Sequence, residues 1–154
     1  MSTLTLEHAS TIVDTALARA RAHTMSPLTV AVLDAGGHLI ALKREDGSGI
    51  LRPEIAIGKA WGALGMGVSS RTLRDRLTDR PNFVAALAAA SGGRLVPVPG
   101  GVLIRDGADA VLGAVGISGD TSDKDEYCAI EGVKAARLRP DPSEPAPAWA
   151  ESKL

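Results

Sequence analysis

The stretch Pro97-Val98-Pro99-Gly100-Gly101-Val102-Leu103-Ile104-Arg105-Asp106-Gly107, continued by Val111-Leu112-Gly113-Ala114-Val115-Gly116-Ile117-Ser118-Gly119-Asp120, contains two apolar β-type runs. The link between them, Arg105-Asp106-Gly107-Ala108-Asp109, carries the Asp-Gly pair favoured where a hairpin turns. The first run is entered through a Pro-Gly-Gly corner, and the second leaves through Ser-Gly-Asp-Thr-Ser into a helical pattern. Glycine at these corners allows the backbone to bend sharply or lets another group pack closely against a sheet. The pattern predicts a stiff antiparallel sheet with a shaped end where a ligand can sit.

A similar signature opens the chain's first half. Pro27 precedes Leu28-Thr29-Val30-Ala31-Val32-Leu33-Asp34, Ala35-Gly36-Gly37 turns, and His38-Leu39-Ile40-Ala41-Leu42-Lys43-Arg44 returns. That is a hairpin. Ahead of it, Leu6, Ala9, Ile12, Val13, Ala16, Leu17 and Ala20 recur at helical spacing, with Thr5 as N-cap, predicting a helix over about 5–22. Pro53 starts a second helix with Ile55, Ala56, Ala60, Ala63 and Leu64 on one face. Gly58, Gly62, Gly65 and Gly67 interrupt that helix, which predicts close approach to the sheet or to another subunit. Short helices are expected from Ser69 or Ser70 to about 77 and over about 81–90. Further strands are expected at about 94–98, 101–105 and 109–117, and a last helix from Ser122 to about 138. Its first turn holds Asp123, Asp125 and Glu126, where carboxylates suit the helix dipole.

At 154 residues, with 45% hydrophobic and 23% charged side chains, the chain reads as one soluble globular domain over 1–138. Residues 139–154, with Pro140, Pro142, Pro145 and Pro147 among acidic and small residues, read as a flexible solvated tail. Aromatics are only 3%, so the core must be built from Ala, Val, Leu and Ile. The net charge of −1 and the absence of a long single-sign run argue against nucleic acid as a partner. No apolar run approaches the ~20 residues of a membrane span, and no signal peptide pattern is visible at Met1-Ser2-Thr3-Leu4-Thr5. The lone Cys128 excludes an internal disulfide and suits a reducing compartment, so a cytoplasmic location is expected. Ser152-Lys153-Leu154 matches a peroxisomal address, a three-residue pattern of low specificity.

The order of motifs resembles the GlcG/HbpS-type family of small haem-binding proteins, which also forms the C-terminal part of some PduO corrinoid adenosyltransferases. The resemblance is carried by Val30 to Leu39, Arg44-Glu45-Asp46-Gly47, Ile55 to Ala60, Pro99-Gly100-Gly101-Val102, Gly113 to Gly119, and Asp125. It implies an α/β (α+β) fold with a five-stranded antiparallel sheet flanked by helices in a profilin-like arrangement. It also implies an even-numbered homo-oligomer, up to an octamer, and haem or a related cofactor as ligand.

Two functions stand side by side at this point. One is a small-ligand-binding protein, with His38, Gly100, Gly101, Gly119 and Thr121 placed to hold a cofactor. His8, His23, Tyr127 and Cys128 are further axial-ligand types. The other is a cofactor-free enzyme of tautomerase or lyase type acting on a small carboxylate. There Arg44 would grip the carboxylate and Lys59, with Asp46, Glu54, Asp125 and Glu126 as further acid–base groups, would move the proton. The same charges read equally as Arg44–Asp46 and Lys59–Glu54 ion pairs that fix loops. The histidines are not at metal-ligand spacing, so no zinc site is expected.

Overall fold

The protein is described by a computed structural model covering residues 3–154. Helix α1 (Leu6–Ala22) starts at a Thr5 cap whose side chain accepts from the His8 backbone N–H, while the His8 ring accepts from Thr5 N–H. The hairpin β1 (Thr29–Asp34) and β2 (Leu39–Arg44) follows, turned by the Asp34 carboxylate, which accepts from Gly36 and His38 N–H. Next come α2 (Arg52–Met66), α3 (Ser70–Leu77) and α4 (Pro81–Ala90). Strands β3 (Gly101–Arg105) and β4 (Val111–Ser118) lead into α5 (Ser122–Ala135) and a short β5 (Arg139–Asp141). A 3-10 turn, Trp149–Glu151, ends the ordered elements.

The five strands form one fully antiparallel sheet in the order β2-β1-β4-β3-β5. Period-two alternation divides its apolar residues between two faces. Val30, Val32, Val102, Ile104, Val115 and Ile117 point to the layer made by α1 and α5. Leu33, Leu103 and Ala114 point to α2 through Ala60 and Ala63. With few aromatics, the layers close by bringing backbones together. A Cβ at Gly116 would lie 1.9 Å from the Ala56 carbonyl oxygen, so α2 crosses β4 where β4 has no side chain.

Two expectations need correction. Residues 94–98 are not a strand. The segment runs across α2 instead, where a Cβ on Gly58 would meet the Arg94 carbonyl oxygen at 2.4 Å and the Val96 side chain at 2.6 Å. The α2 glycines at 58 and 62 are therefore explained by this crossing segment, not by the sheet. The fifth strand comes from the Pro-rich region read as a solvated tail. Leu103 pairs with Asp141, Ile104 with Pro140 and Arg105 with Arg139, and Trp149 packs on the core edge. A proline fits here because β5 is an edge strand that needs few N–H donors.

Helix α4 differs from the others. Its sequence Pro-Asn-Phe-Val-Ala-Ala-Leu-Ala-Ala-Ala carries no charge, yet none of its residues is buried.

Candidate functional site

The end of β4 and the starts of α2 and α5 converge on a polar knot. Lys59, two turns into α2 on its buried face, reaches its Nζ to the Ile117 carbonyl at 2.8 Å and to Asp125 Oδ2 at 3.1 Å. Both side chains are almost wholly buried, at 3% and 1% exposure. The other Asp125 oxygen accepts from Asp120 N–H, and Asp120 in turn accepts from Ser26 and Thr121 N–H. Arg52 donates to Ser118 Oγ at 3.0 Å, and the Thr29 and Ser48 hydroxyls meet at 2.8 Å. Beside this knot, Arg71 of α3 makes a forked ion pair with the buried Glu126.

Desolvation dominates these charges. Burial lowers the Lys59 amine below its ordinary range, although Asp125 pulls it upward. Burial raises the Asp125 carboxyl to about 6 against the opposing pull of Lys59. Glu126 is also raised by burial, despite Arg71. Asp120 goes the other way: burial works to raise it, but the N–H donors of Ser26 and Thr121 together with Lys124 outweigh that and lower it.

Several residues expected at a ligand rim lie in this knot, where protein groups fill the space. Gly100, at φ +121, has Lys59 Nζ and the Ile117 carbonyl 2.9 Å from where its Cβ would be. Gly101 donates its N–H to Ser70 Oγ and lies against the Lys59 carbonyl, and Gly119 lies against Pro27 and Leu28. Thr121 caps α5 by accepting from Lys124 N–H and meets Ser152 Oγ at 2.5 Å. Each thus has a packing or capping role.

The remaining expected residues lie elsewhere. Arg44 is exposed, donates to the Ser48 carbonyl at 2.7 Å, and lines an open cavity of about 570 Å³ with Leu17, Arg21, Lys43 and Asp46. Glu54 lines a separate apolar cleft of about 360 Å³ bordered by Leu51, Ile55, Arg94 and Val96. Lys59 lines neither. Among the described residues, neither the Arg44–Asp46 nor the Lys59–Glu54 pair forms; Lys59 takes Asp125 instead. In the sequence Asp125 stands out as a family-motif residue, a first-turn carboxylate and an acid–base candidate, but nothing local pairs it with Lys59, 66 positions away.

His38 is 82% exposed and its Nδ1 lies 3.2 Å from Asp34 Oδ1, so it sits at the hairpin tip. Cys128 is buried with its Sγ 3.5 Å from Met25 Sδ, and burial raises its thiol pKa, which removes it as a thiolate ligand. The less expected arrangement lies at the end of α1. The His23 ring stands edge-on to Tyr127 and Trp149, with Nε2 3.3 Å from the Tyr127 hydroxyl. Tyr127 and Trp149 stack at 3.7 Å and 5°. Sequence reading had weighed His23 and Tyr127 separately; nothing local signalled that α1, α5 and the C-terminal turn bring them together.

These residues can be tested against a haem. His and Tyr are both axial-ligand types, and His23 is exposed. No cluster of three or more His, Cys, Asp or Glu able to hold a bare metal ion occurs among the described residues. The cavities at Arg44 and Glu54 are open clefts, so among the described residues a haem-type ring would be held at the surface, with an exposed histidine as the residue that could reach its iron. No helix among the described residues is long and apolar enough to cross a membrane.

A family model described as haem degrading protein HbpS-like matches residues 4–134. Among solved structures, HbpS is 26% identical with a TM-score of 0.74, covering 87% of this chain and 90% of its own. The PduOC–haem complex superposes with a TM-score of 0.80 at 24% identity, over 89% of this chain and 97% of its own. Klebsiella pneumoniae protein ORFY gives 0.79 at 22% identity, over 89% and 92%. At these last two identities the likeness is one of fold. No curated protein matches the chain in sequence.

Proposed function

The chain belongs to the HbpS-like family, and from that premise we propose that it binds haem or a closely related planar cofactor as a homo-oligomer with an even number of subunits. The observation that carries the reading is the family match across 4–134, described by haem chemistry. The exposed His38 and His23 support it as candidate axial ligands. Arg44, in an open cavity where Arg21 and Lys43 already pair with Glu45 and Asp14, offers a cation for a carboxylate that a haem-type ring carries. Bound haem would supply redox and oxygen chemistry; the residues of this chain orient the ring and neutralise its acid groups.

Assembly draws support from α4. Helix α4 is uncharged, with Phe83, Val84 and Leu87 only half-buried and its alanines exposed, and a second copy is the simplest cover for that face. An Ala86→Glu substitution tests this cleanly. Ala86 is exposed in the single chain and glutamate favours helix, so a monomer would tolerate it. We expect the variant to keep its helical circular dichroism and sediment as a smaller species than the parent. An unchanged sedimentation coefficient would remove α4 from any interface.

Hemin titration tests the ligand. The expected result is a saturable Soret band at about one ring per chain, with affinity reduced at least ~10-fold by His38→Ala or by His23→Ala, whichever supplies the iron ligand. Absence of a saturable band in the parent protein would end the haem reading. A cytoplasmic location accords with the lone reduced cysteine and belongs to the same proposal. The alternative, proton transfer on a small carboxylate by Arg44 and Lys59, has less behind it. The Lys59 amine is sealed against Ile117 and Asp125 and faces none of the cavities described above.

A further inference from the structure

We propose that the C-terminal segment 142–154 is a strap that covers the Tyr127 face of a planar-ligand site beside the exposed His23, with the Trp149 indole standing where the ligand ring would stack. The proposal rests on the haem-type reading above and assigns it a site and a control.

Three observations carry it. First, in a chain with one Tyr, one Phe and two Trp, a Tyr and a Trp are stacked face to face beside a histidine at one surface point. Parallel rings 3.7 Å apart are the arrangement a flat aromatic ligand would adopt on Tyr127 once the indole left. Second, His23, a residue type that ligates haem iron, stands edge-on beside the stacked pair, with its Nε2 3.3 Å from the Tyr127 hydroxyl. Third, the segment is lightly held. None of residues 142–154 is buried. Its polar attachments are Ser152 to Thr121, an exposed Glu144–Lys134 pair and Arg71 to the Glu144 carbonyl. The Glu144–Lys134 pair, being exposed, holds weakly and is screened by salt. The segment also lies beyond the 4–134 that the family model matches.

A ligand that stacks on Tyr127 must compete with the indole, so its apparent affinity is reduced by the fraction of chains whose strap is closed. The full chain therefore binds more weakly than its open form. Removing the indole raises affinity without adding a contact.

The experiment compares the full-length parent with Trp149→Ala, Trp149→Phe and the pair Trp149→Ala/His23→Ala, using hemin as probe. Trp149→Ala is expected to bind hemin about 10-fold more tightly than the parent. Trp149→Phe keeps a stacking ring and should stay close to the parent, which guards against a general folding effect. Adding His23→Ala to Trp149→Ala should abolish the gain and shift the Soret maximum. Hemin should also make the bond after Trp149 in the parent susceptible to chymotrypsin. If Trp149→Ala binds no better than a parent that itself binds hemin, the strap is wrong while the haem reading stands. If the gain survives loss of His23, the masked site is not here. If no variant gives a saturable Soret band, the haem reading fails and the strap fails with it.

Discussion

Asp125→Ala should lower the stability of the protein by about 3–5 kcal/mol, because it leaves the buried Lys59 ammonium without its partner. The drop is measurable as an earlier urea midpoint with unchanged slope. The pair itself is not a large net gain, since both charges are desolvated on folding. Replacing both partners with apolar groups, Lys59→Met with Asp125→Leu, should therefore recover most of the loss. A single-variant loss below ~1 kcal/mol would mean that water reaches the pair. The pH dependence has a definite sign. The Asp125 carboxyl titrates at about 6 in the native state against 3.8 ordinarily, so between these values the folded chain holds a proton that the unfolded chain has released. This contribution is fully present below pH 3.8 and is lost as pH rises to 6. The stability of the parent relative to Asp125→Asn should accordingly fall across that window by roughly 2–3 kcal/mol.

Gly116→Ala is expected to be at least as damaging, at about 3 kcal/mol or more. A methyl group there would sit 1.9 Å from the Ala56 carbonyl oxygen, and the clash is with backbone, which cannot rotate away. Helix α2 would have to lift off β4, opening the interface among Leu33, Leu103, Ala114 and Ala60. Gly65→Ala provides the control from α2 itself. A Cβ at Gly65 meets nothing within 4 Å, so ordinary helix propensity should prevail and stabilise the protein by about 0.5–1 kcal/mol. If Gly116→Ala melts like the parent, the close crossing of α2 over β4 is not as described.

Local pattern carried much of the architecture. Thr5 and Ser69 cap the helices they precede, Pro81 opens α4, and both hairpins turn where their Asp and Gly residues indicate. The fifth strand escaped this reading. Arg139-Pro140-Asp141 has no β-propensity worth the name, and only the open edge of β3 gives it pairing partners. Conversely, Leu95-Val96-Pro97-Val98 reads as a strand yet has no strand beside it, and settles on α2.

The candidate site divides in the same way. Gly100, Gly101, Gly119, Lys59 and Thr121 were each notable in sequence, and the fold does gather them at one end of the sheet. Sequence could not show that Lys59 fills that end itself, since its partner Asp125 lies on a helix 66 residues later. Nor could it join His23 to Tyr127 and Trp149, which lie on three separate elements. Periodicity, caps, turns and the ordered family motifs are properties of neighbouring residues, so the chain's sequence alone determined the sheet class, the helices and the family. Which charges are desolvated, which glycines are occupied by another group's atoms and which aromatics share a surface depend on distances between remote segments. Those were decided only when the layers packed.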